Sequence, residues 1–466
     1  MWIVSRLRDL IRSWREPRIP AAEKELPNPQ MLAAIRAKSV RTQREELILA
    51  RGDFTERRSD GAHRAIRLEK LNDASGTLYL LFPDSDTHEA RIQPAIKGGY
   101  DRLFWANLMI ACDGPDQLGK QSSTTSLHAR NFGKLQYAAN DLDAFYQYYR
   151  PMRLGDIDTV IVGGIGKSPG FFDITKRLMN PTIEDIDRAV RELRQWIEIN
   201  SDDPEFVSVQ INLLYAGHGS IANGESGFIV GDGFMSSRQM AMRILSVLNN
   251  LSKIESTCRL DLYLDCCHSA AIARDMTKTL TIAADGHGSS PSYTGPRIGL
   301  GKVYCSCLDD EHAVEHDEVA HGLFTFAFLN EMSRRIPDGA RHLAIGLRDI
   351  GWFSDLRQHP MLLDFTNHKT SPDVMPRMRF PCVQVIGGEV AGQVFDSAQR
   401  MASEEAIANA EQKGGELVVS PLDYAVSFGR VIRDACVEKE REIRHQPSRR
   451  RIFSRKEVAR RDYFWT

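Results

Sequence analysis

The chain has no hydrophobic run long enough to cross a bilayer. Its longest, Leu103 to Cys112, is broken at Asn107 and falls far short of the ~20 apolar residues that a spanning helix needs. Its N-terminus carries arginines but no uninterrupted apolar core, so a secretory signal is not expected. There is no even framework of paired cysteines: eight are scattered along the sequence, which points to reduced thiols in the cytoplasm. There is no excess of one charge either. A formal net charge of −2 gives no general pull toward nucleic acid or membrane surfaces. No internal repeat appears. Gly163-Gly164-Ile165-Gly166-Lys167-Ser168 has the end of a phosphate-binding loop but the wrong spacing from its first glycine, and reads as a turn after a strand. What is present is 466 residues with 42% hydrophobic content. That is enough for two or three domains, or for one elaborated α/β domain with extensions.

Two segments carry the chemistry. Val209 to Tyr215 is an apolar run that ends in Ala216-Gly217-His218-Gly219, and Arg259 to Leu264 ends in Asp265-Cys266-Cys267-His268-Ser269. Apolar strands that break into polar turns place side chains at the carboxyl ends of a sheet. A thiol nucleophile needs a base to make it a thiolate and backbone N–H groups to hold the oxyanion that its attack creates. A histidine flanked by glycines is an unusual core residue, since the glycines permit close approach of backbone and substrate. A histidine followed about 50 residues later by a cysteine is the order and spacing of caspases.

With these motifs the chain resembles the caspase-like cysteine peptidases, most closely their metacaspase and bacterial branch. Leu135-Gln136-Tyr137-Ala138-Ala139-Asn140-Asp141, Cys305 to Glu311 and His321-Gly322-Leu323-Phe324-Thr325 extend the resemblance, which spans roughly residues 103–386. It implies a three-layer α/β/α sandwich around a mostly parallel six-stranded sheet. It selects Cys267, the second cysteine of the pair, as nucleophile, because the family pattern is Asp-any-Cys-His-Ser. His218 is then the general base, and the N–H groups of Gly219 and Cys267 form the oxyanion hole of a Cys–His dyad. His268, adjacent to the nucleophile, reads as structural. In the metacaspase-like branch two carboxylates hold an arginine or lysine before the scissile bond, and the matching positions are Asp265 and Asp141. Ala138, Ala216 and Ala270 depart from the family's usual cysteine, serine and glycine.

Protein or peptide substrates are therefore expected, cut after basic residues. Latency is expected to end by cleavage of a loop from about 274 to 302, by the enzyme itself or by an upstream protease, with Arg274, Lys278 and Arg297 as candidate sites. Bacterial relatives of this type include effectors of anti-phage defence. A caspase-fold scaffold that acts by binding partners is the alternative. No cofactor is expected. Some metacaspases require calcium, but no EF-hand spacing supports it here. Cys305, Cys307, His312, His316 and His321 cluster without a standard zinc spacing.

The domain plan is an extension over 1–100, a peptidase domain over 101–388 and a helical, basic extension over 389–466. Residues 1–16 form an amphipathic pattern ended by Pro17 and Pro20, followed by short alternating runs that read as a small β-rich region. Strands are expected near 104–112, 157–163, 209–215, 259–265, 302–306 and 381–386, and helices near 138–150, 183–198, 237–253 and 320–334. Thr182-Ile183-Glu184-Asp185 reads as a capping box. Nine basic residues from Arg441 to Arg461 read as a solvated tail or a strap over the domain, rather than as a nucleic-acid contact.

Overall fold

Apolar runs that end in polar turns become strands here, and the amphipathic segments between them become crossover helices. The computed structural model describes residues 29–38, 41–42, 44–49, 66–73, 76–83, 102–114, 132–149, 159–161, 170–200, 208–248, 258–284, 298–332, 346–365, 377–382, 396–404 and 421–445. In chain order its elements are α1 (Pro29–Ala37), the antiparallel pair β1 (Ile66–Asp73) and β2 (Gly76–Pro83), β3 (Arg102–Cys112), α2 (Ala138–Tyr149), β4 (Thr159–Ile161), β5 (Gly170–Met179) and α3 (Ile183–Asn200). Then follow β6 (Ser208–Gly217), β7 (Gly219–Ala222), β8 (Glu225–Val230), β9 (Gly233–Ser236), α4 (Ser237–Leu248), β10 (Cys258–Asp265) and α5 (Ser269–Ala284). The series closes with β11 (Ile298–Cys305), β12 (Glu315–His316), β13 (His321–Gly322), α6 (Leu323–Met332), α7 (Ile350–Phe353), β14 (Met361–Asp364), β15 (Arg377–Arg379) and α8 (Pro421–His445).

The central sheet has eight strands in the order β15-β14-β11-β10-β6-β3-β5-β4. Strands β5, β3, β6, β10 and β11 run parallel, and the short strands β4 and β14 pair antiparallel at the two flanks. The sheet is thus mostly parallel with helices on both faces, as expected, but two strands larger. Strand β5 escapes a reading by hydrophobicity because Lys176 and Arg177 interrupt its apolar pattern. The strand expected at 381–386 is replaced by β14 and β15; residues 381–382 form a short helical turn, and 383–386 lie outside the described residues.

A second correction concerns α5. The segment from 274 onward reads as loop, yet Ser269–Ala284 is a helix of 16 residues. Its alanines favour helix, and it buries Ala270, Ala273, Met276 and Leu280 at helical spacing. Its threonines obscure the pattern: Thr277 and Thr279 turn their hydroxyls onto carbonyls one turn back.

Side-chain alternation divides the sheet into two distinct faces. On one, Leu108, Ile110, Leu213, Tyr215, Leu260, Leu262 and Leu264 pack with α3, α4, α5 and α8 in a continuous apolar core. On the other, Met109, Leu214, Tyr263 and Tyr304 pack under Phe145 of α2 and Phe324 and Phe328 of α6. A buried polar stripe crosses this second face. Asn107 donates to Thr175 and accepts from Asn212, and Gln210 donates to Asn212 and Asp261. The break at Asn107 in the longest apolar run is one member of this stripe.

Candidate active site

The register of the sheet brings the two motif turns together. Strand β10 pairs with β6 so that Leu264 faces Tyr215 and Asp265 faces Ala216, which puts Cys266 and Cys267 level with Gly217 and His218. Contact between the turns is close. A Cβ on Gly219 would lie 1.9 Å from the Cys267 carbonyl oxygen and 3.2 Å from the Cys266 sulfur, so only glycine fits.

The histidine turn is braced by the hairpin that follows it. Asn223 and Gly224 take φ of +53° and +80°, the left-handed pair that a two-residue hairpin turn requires. Strand β8 then returns beside His218, whose carbonyl accepts from Ile229 N at 3.0 Å. This bond makes Gly219 and Phe228 a non-hydrogen-bonded pair of the antiparallel ladder, so the Gly219 N–H is directed away from β8. Beneath, the buried Tyr215 hydroxyl lies 2.9 Å from the His218 carbonyl and 2.6 Å from that of Ile229. The imidazole Nε2 lies 2.7 Å from the Gly133 carbonyl. A carbonyl only accepts, so Nε2 carries the proton and Nδ1 is left as the basic nitrogen. Phe132 packs on the ring, with centroids 5.0 Å apart. Burial lowers the imidazole pKa, an effect that the Gly133 bond only partly opposes.

The cysteine turn separates two identical side chains. Cys266 is fully buried in the apolar core, and burial raises its thiol well above the ordinary value. Cys267 is half-buried on the other face, and its thiol lies 3.9 Å from the Ala313 carbonyl. Burial also raises Cys267, partly offset by that carbonyl contact. At rest the two turns therefore hold a neutral thiol and a neutral imidazole. His268 sits at φ +57° and is tied down by its Nδ1–H to the Asp309 carbonyl and its N–H to the Glu311 carbonyl.

Below this pair lies a buried group of carboxylates. Asp265 Oδ2 accepts from Thr325 N at 3.0 Å and from Thr325 Oγ1 at 2.6 Å. Asp141 meets His321 Nδ1 at 2.8 Å and accepts from Gly322 N. Gly322 threads between them: a Cβ there would lie 2.4 Å from Asp265 Oδ2 and 3.1 Å from Asp141 Oδ2. Glu315 joins from β12, accepting from Gln136 N and Tyr137 N. Burial, and then the Asp141 charge, push Asp265 up to about 7. Burial, and then the Glu315 charge, raise Asp141. Burial raises Glu315 as well, with the Asp265 charge adding to it.

Residues 131–347 match the family model of the caspase domain. The match supports a cysteine peptidase of the caspase family. No curated protein matches the chain. Both motif turns, the buried Asp141 and Asp265, and the partly buried Glu315 lie inside the matched residues.

Other expected features fall differently. Arg274 and Lys278 are not in a loop: both lie on α5, where Arg274 pairs with Asp275, Asp309 and Asp423, and Lys278 pairs with Asp423. Arg297, the amphipathic 1–16 segment and the basic stretch after 445 lie outside the described residues. The Cys/His cluster is dispersed by other partners. Cys307 lies against the Cys266 and Glu311 carbonyls, His321 pairs with Asp141, and His316 Nδ1 accepts from Glu318 N. Among the described residues no group of three or more His, Cys, Asp or Glu is arranged to hold a metal, and no helix is long and apolar enough to cross a membrane.

Sequence reasoning missed Gly133, Tyr215, Ala313 and Glu315. Gly133 and Ala313 act through carbonyls, which leave no side-chain signature. Glu315 was hidden within a generally acidic stretch.

Proposed function

We propose that this protein is a cytoplasmic cysteine endopeptidase that cuts after arginine or lysine, with Cys267 as nucleophile and His218 as base. One observation carries the reading. The two turns meet on the sheet face that carries a group of carboxylates, and among the described residues this group has one histidine, and no arginine or lysine, as a bonded partner.

The chemistry follows from the arrangement. The Cys267 thiol passes its proton to His218 Nδ1, and the thiolate attacks the substrate carbonyl carbon. The oxyanion that forms is held by the N–H groups of Gly219 and Cys267. The imidazolium then protonates the departing amine, leaving a thioester on Cys267. Water, deprotonated by His218, attacks the thioester, and the acid product and free thiol are released. The Gly133 carbonyl keeps the proton on Nε2 throughout, so Nδ1 stays available for each transfer.

Specificity rests on the carboxylates. Asp265 and Asp141 flank the same glycine, an unfavourable pairing by themselves and a favourable one around a guanidinium, whose planar fork suits two acceptors. A lysine ammonium satisfies the same charge with fewer fixed contacts. Activation by chain cleavage, on this reading, falls on Arg297, since cutting at Arg274 or Lys278 would require α5 to unwind.

A series of fluorogenic peptides differing only in the residue before the scissile bond tests the proposal. Arginine and lysine peptides should be cut, and aspartate and glutamate peptides should not. Preferential cutting after an acidic residue would overturn the specificity, and no cutting of any peptide by protein already nicked at Arg297 would favour the scaffold reading.

A further inference from the structure

The loop behind the nucleophile is held by a helix that lies beyond the caspase-domain match. The stretch from Cys307 to Ala313 runs behind the Cys267 turn. Its Asp309 and Glu311 carbonyls fix the ring and backbone of His268, and its Ala313 carbonyl faces the Cys267 thiol. His268 is in the left-handed region, which a non-glycine residue occupies only while its surroundings impose it. The direction of Cys267 therefore depends on this loop staying in place.

The loop's side chains are gripped by α8. Arg430 takes both oxygens of Asp309, with Nε at 2.9 Å and Nη2 on the second oxygen. Arg433 donates to Asp310 at 2.5 Å and lies 3.6 Å from Glu311, whose carboxylate is bonded directly by His359 Nδ1 at 2.6 Å and by the His359 and Leu308 N–H groups. Asp309 is only 7% exposed, so removing Arg430 would leave its carboxylate with the longer Arg274 contact at 3.4 Å in a poorly solvated site. Burial raises Asp310, but the Arg433 bond and charge, a backbone N–H and the Arg430 charge together lower its pKa overall. The helix is itself firmly seated. Leu422, Ala425, Val426, Phe428, Ile432 and Cys436 enter the main core. Gly429 passes so near that a Cβ would lie 2.6 Å from Phe380 and 2.9 Å from Leu308.

We infer that α8 is a positioning strap for the active site. Arg430 and Arg433 hold the Asp309 and Asp310 carboxylates, thereby the loop whose carbonyls fix His268, and thereby the aim of Cys267. The inference rests on Cys267 being the nucleophile proposed above. Arg430 and Arg433 are positioning residues that never touch substrate.

The test uses the full chain and two readouts, turnover of an arginine peptide and the rate at which iodoacetamide labels Cys267. Arg430→Met with Arg433→Met should lower kcat by ~10–100-fold with KM within about twofold, the scale of a misplacement near 1 Å. Labelling of Cys267 should slow in parallel. Arg430→Lys with Arg433→Lys keeps the charges but loses the fork, and should fall in between; it carries the test if the Met pair does not fold. Lys439→Met, on the same helix and paired among the described residues with exposed Glu442, should match the wild type. Wild-type kcat and labelling in a folded double variant, or a loss confined to KM, would overturn the strap. If the wild type cuts no peptide while labelling still slows in the variants, the peptidase reading fails and the strap stands.

Discussion

Cys266 and Cys267 are neighbours with the same side chain, and they differ in almost everything else. Cys266 points into the aliphatic core among Leu264, Ala270 and Cys305, with no exposed surface. Cys267, one residue on, points to the opposite face, beside the His218 turn and above the carboxylates. The period of a strand is enough to produce this contrast. The apolar face is built for stability, whereas the other face carries charged groups buried at some cost in stability. Substitutions on the two faces should therefore separate activity from stability.

The largest effect is expected at the dyad. Cys267→Ala should abolish peptide cleavage, and His218→Ala should lower kcat by ~10²–10⁴-fold. Cys266→Ala should retain most activity and instead lower stability by about 1 kcal/mol, the loss of one buried heavy atom from a packed site. Loss of activity in Cys266→Ala with activity kept in Cys267→Ala would reverse the assignment of faces.

Next comes the pH dependence, which sharpens the contrast between dyad and pocket. On the proposed specificity, an arginine binds to ionised Asp265, whose pKa is pushed up to about 7 by burial and then by Asp141. The kcat/KM for an arginine peptide should fall as pH drops below about 7. Labelling by uncharged iodoacetamide needs only His218 unprotonated, and burial lowers that histidine, so its acid limb should lie below the ordinary histidine value. Asp265→Asn should remove the limb near 7 together with most arginine preference. Coincident limbs for peptide and iodoacetamide would show that the carboxylates do not bind the substrate's cation.

The smallest effect is thermodynamic. A carboxyl whose folded pKa exceeds its unfolded value is favoured in its neutral form by the fold. Its contribution to stability is present in full below about pH 4 and is lost as pH rises through about 7. Asp265→Asn cannot ionise. It should raise Tm at pH 8 by about 2–4 °C, the shift that roughly 1 kcal/mol gives in a domain of this size, and should lose that advantage at pH 4. A lower Tm at pH 8 would mean that Asp265 is structural.

The turns were legible in the sequence because their constraints are local. Gly217-His218-Gly219 and Asp265-Cys266-Cys267-His268 each end an apolar run, and strand alternation then assigns faces without any knowledge of neighbours. The capping box at Thr182 was equally legible, since Thr182 and Asp185 exchange side-chain to backbone bonds as that pattern requires. Features fixed by long-range partners were not. Strand β5 is placed by pairing with β3, despite a charged sequence. Helix α5 reads as loop because its threonines satisfy themselves on its own backbone. The pairing of Arg430 and Arg433 with Asp309 and Asp310 joins positions more than a hundred residues apart, and no local motif marks these arginines in the sequence.

The most direct measurement is identification of the residue modified by an arginine-directed peptidyl ketone, which reports pocket and nucleophile together. Peptide mapping should find the adduct on Cys267 alone. Labelling should be far slower in Asp265→Asn and in His218→Ala, and an aspartate analogue of the reagent should leave the protein unmodified. An adduct on Cys266, or faster labelling by the aspartate analogue, would contradict the central claim that Cys267 works above a cation-binding pocket.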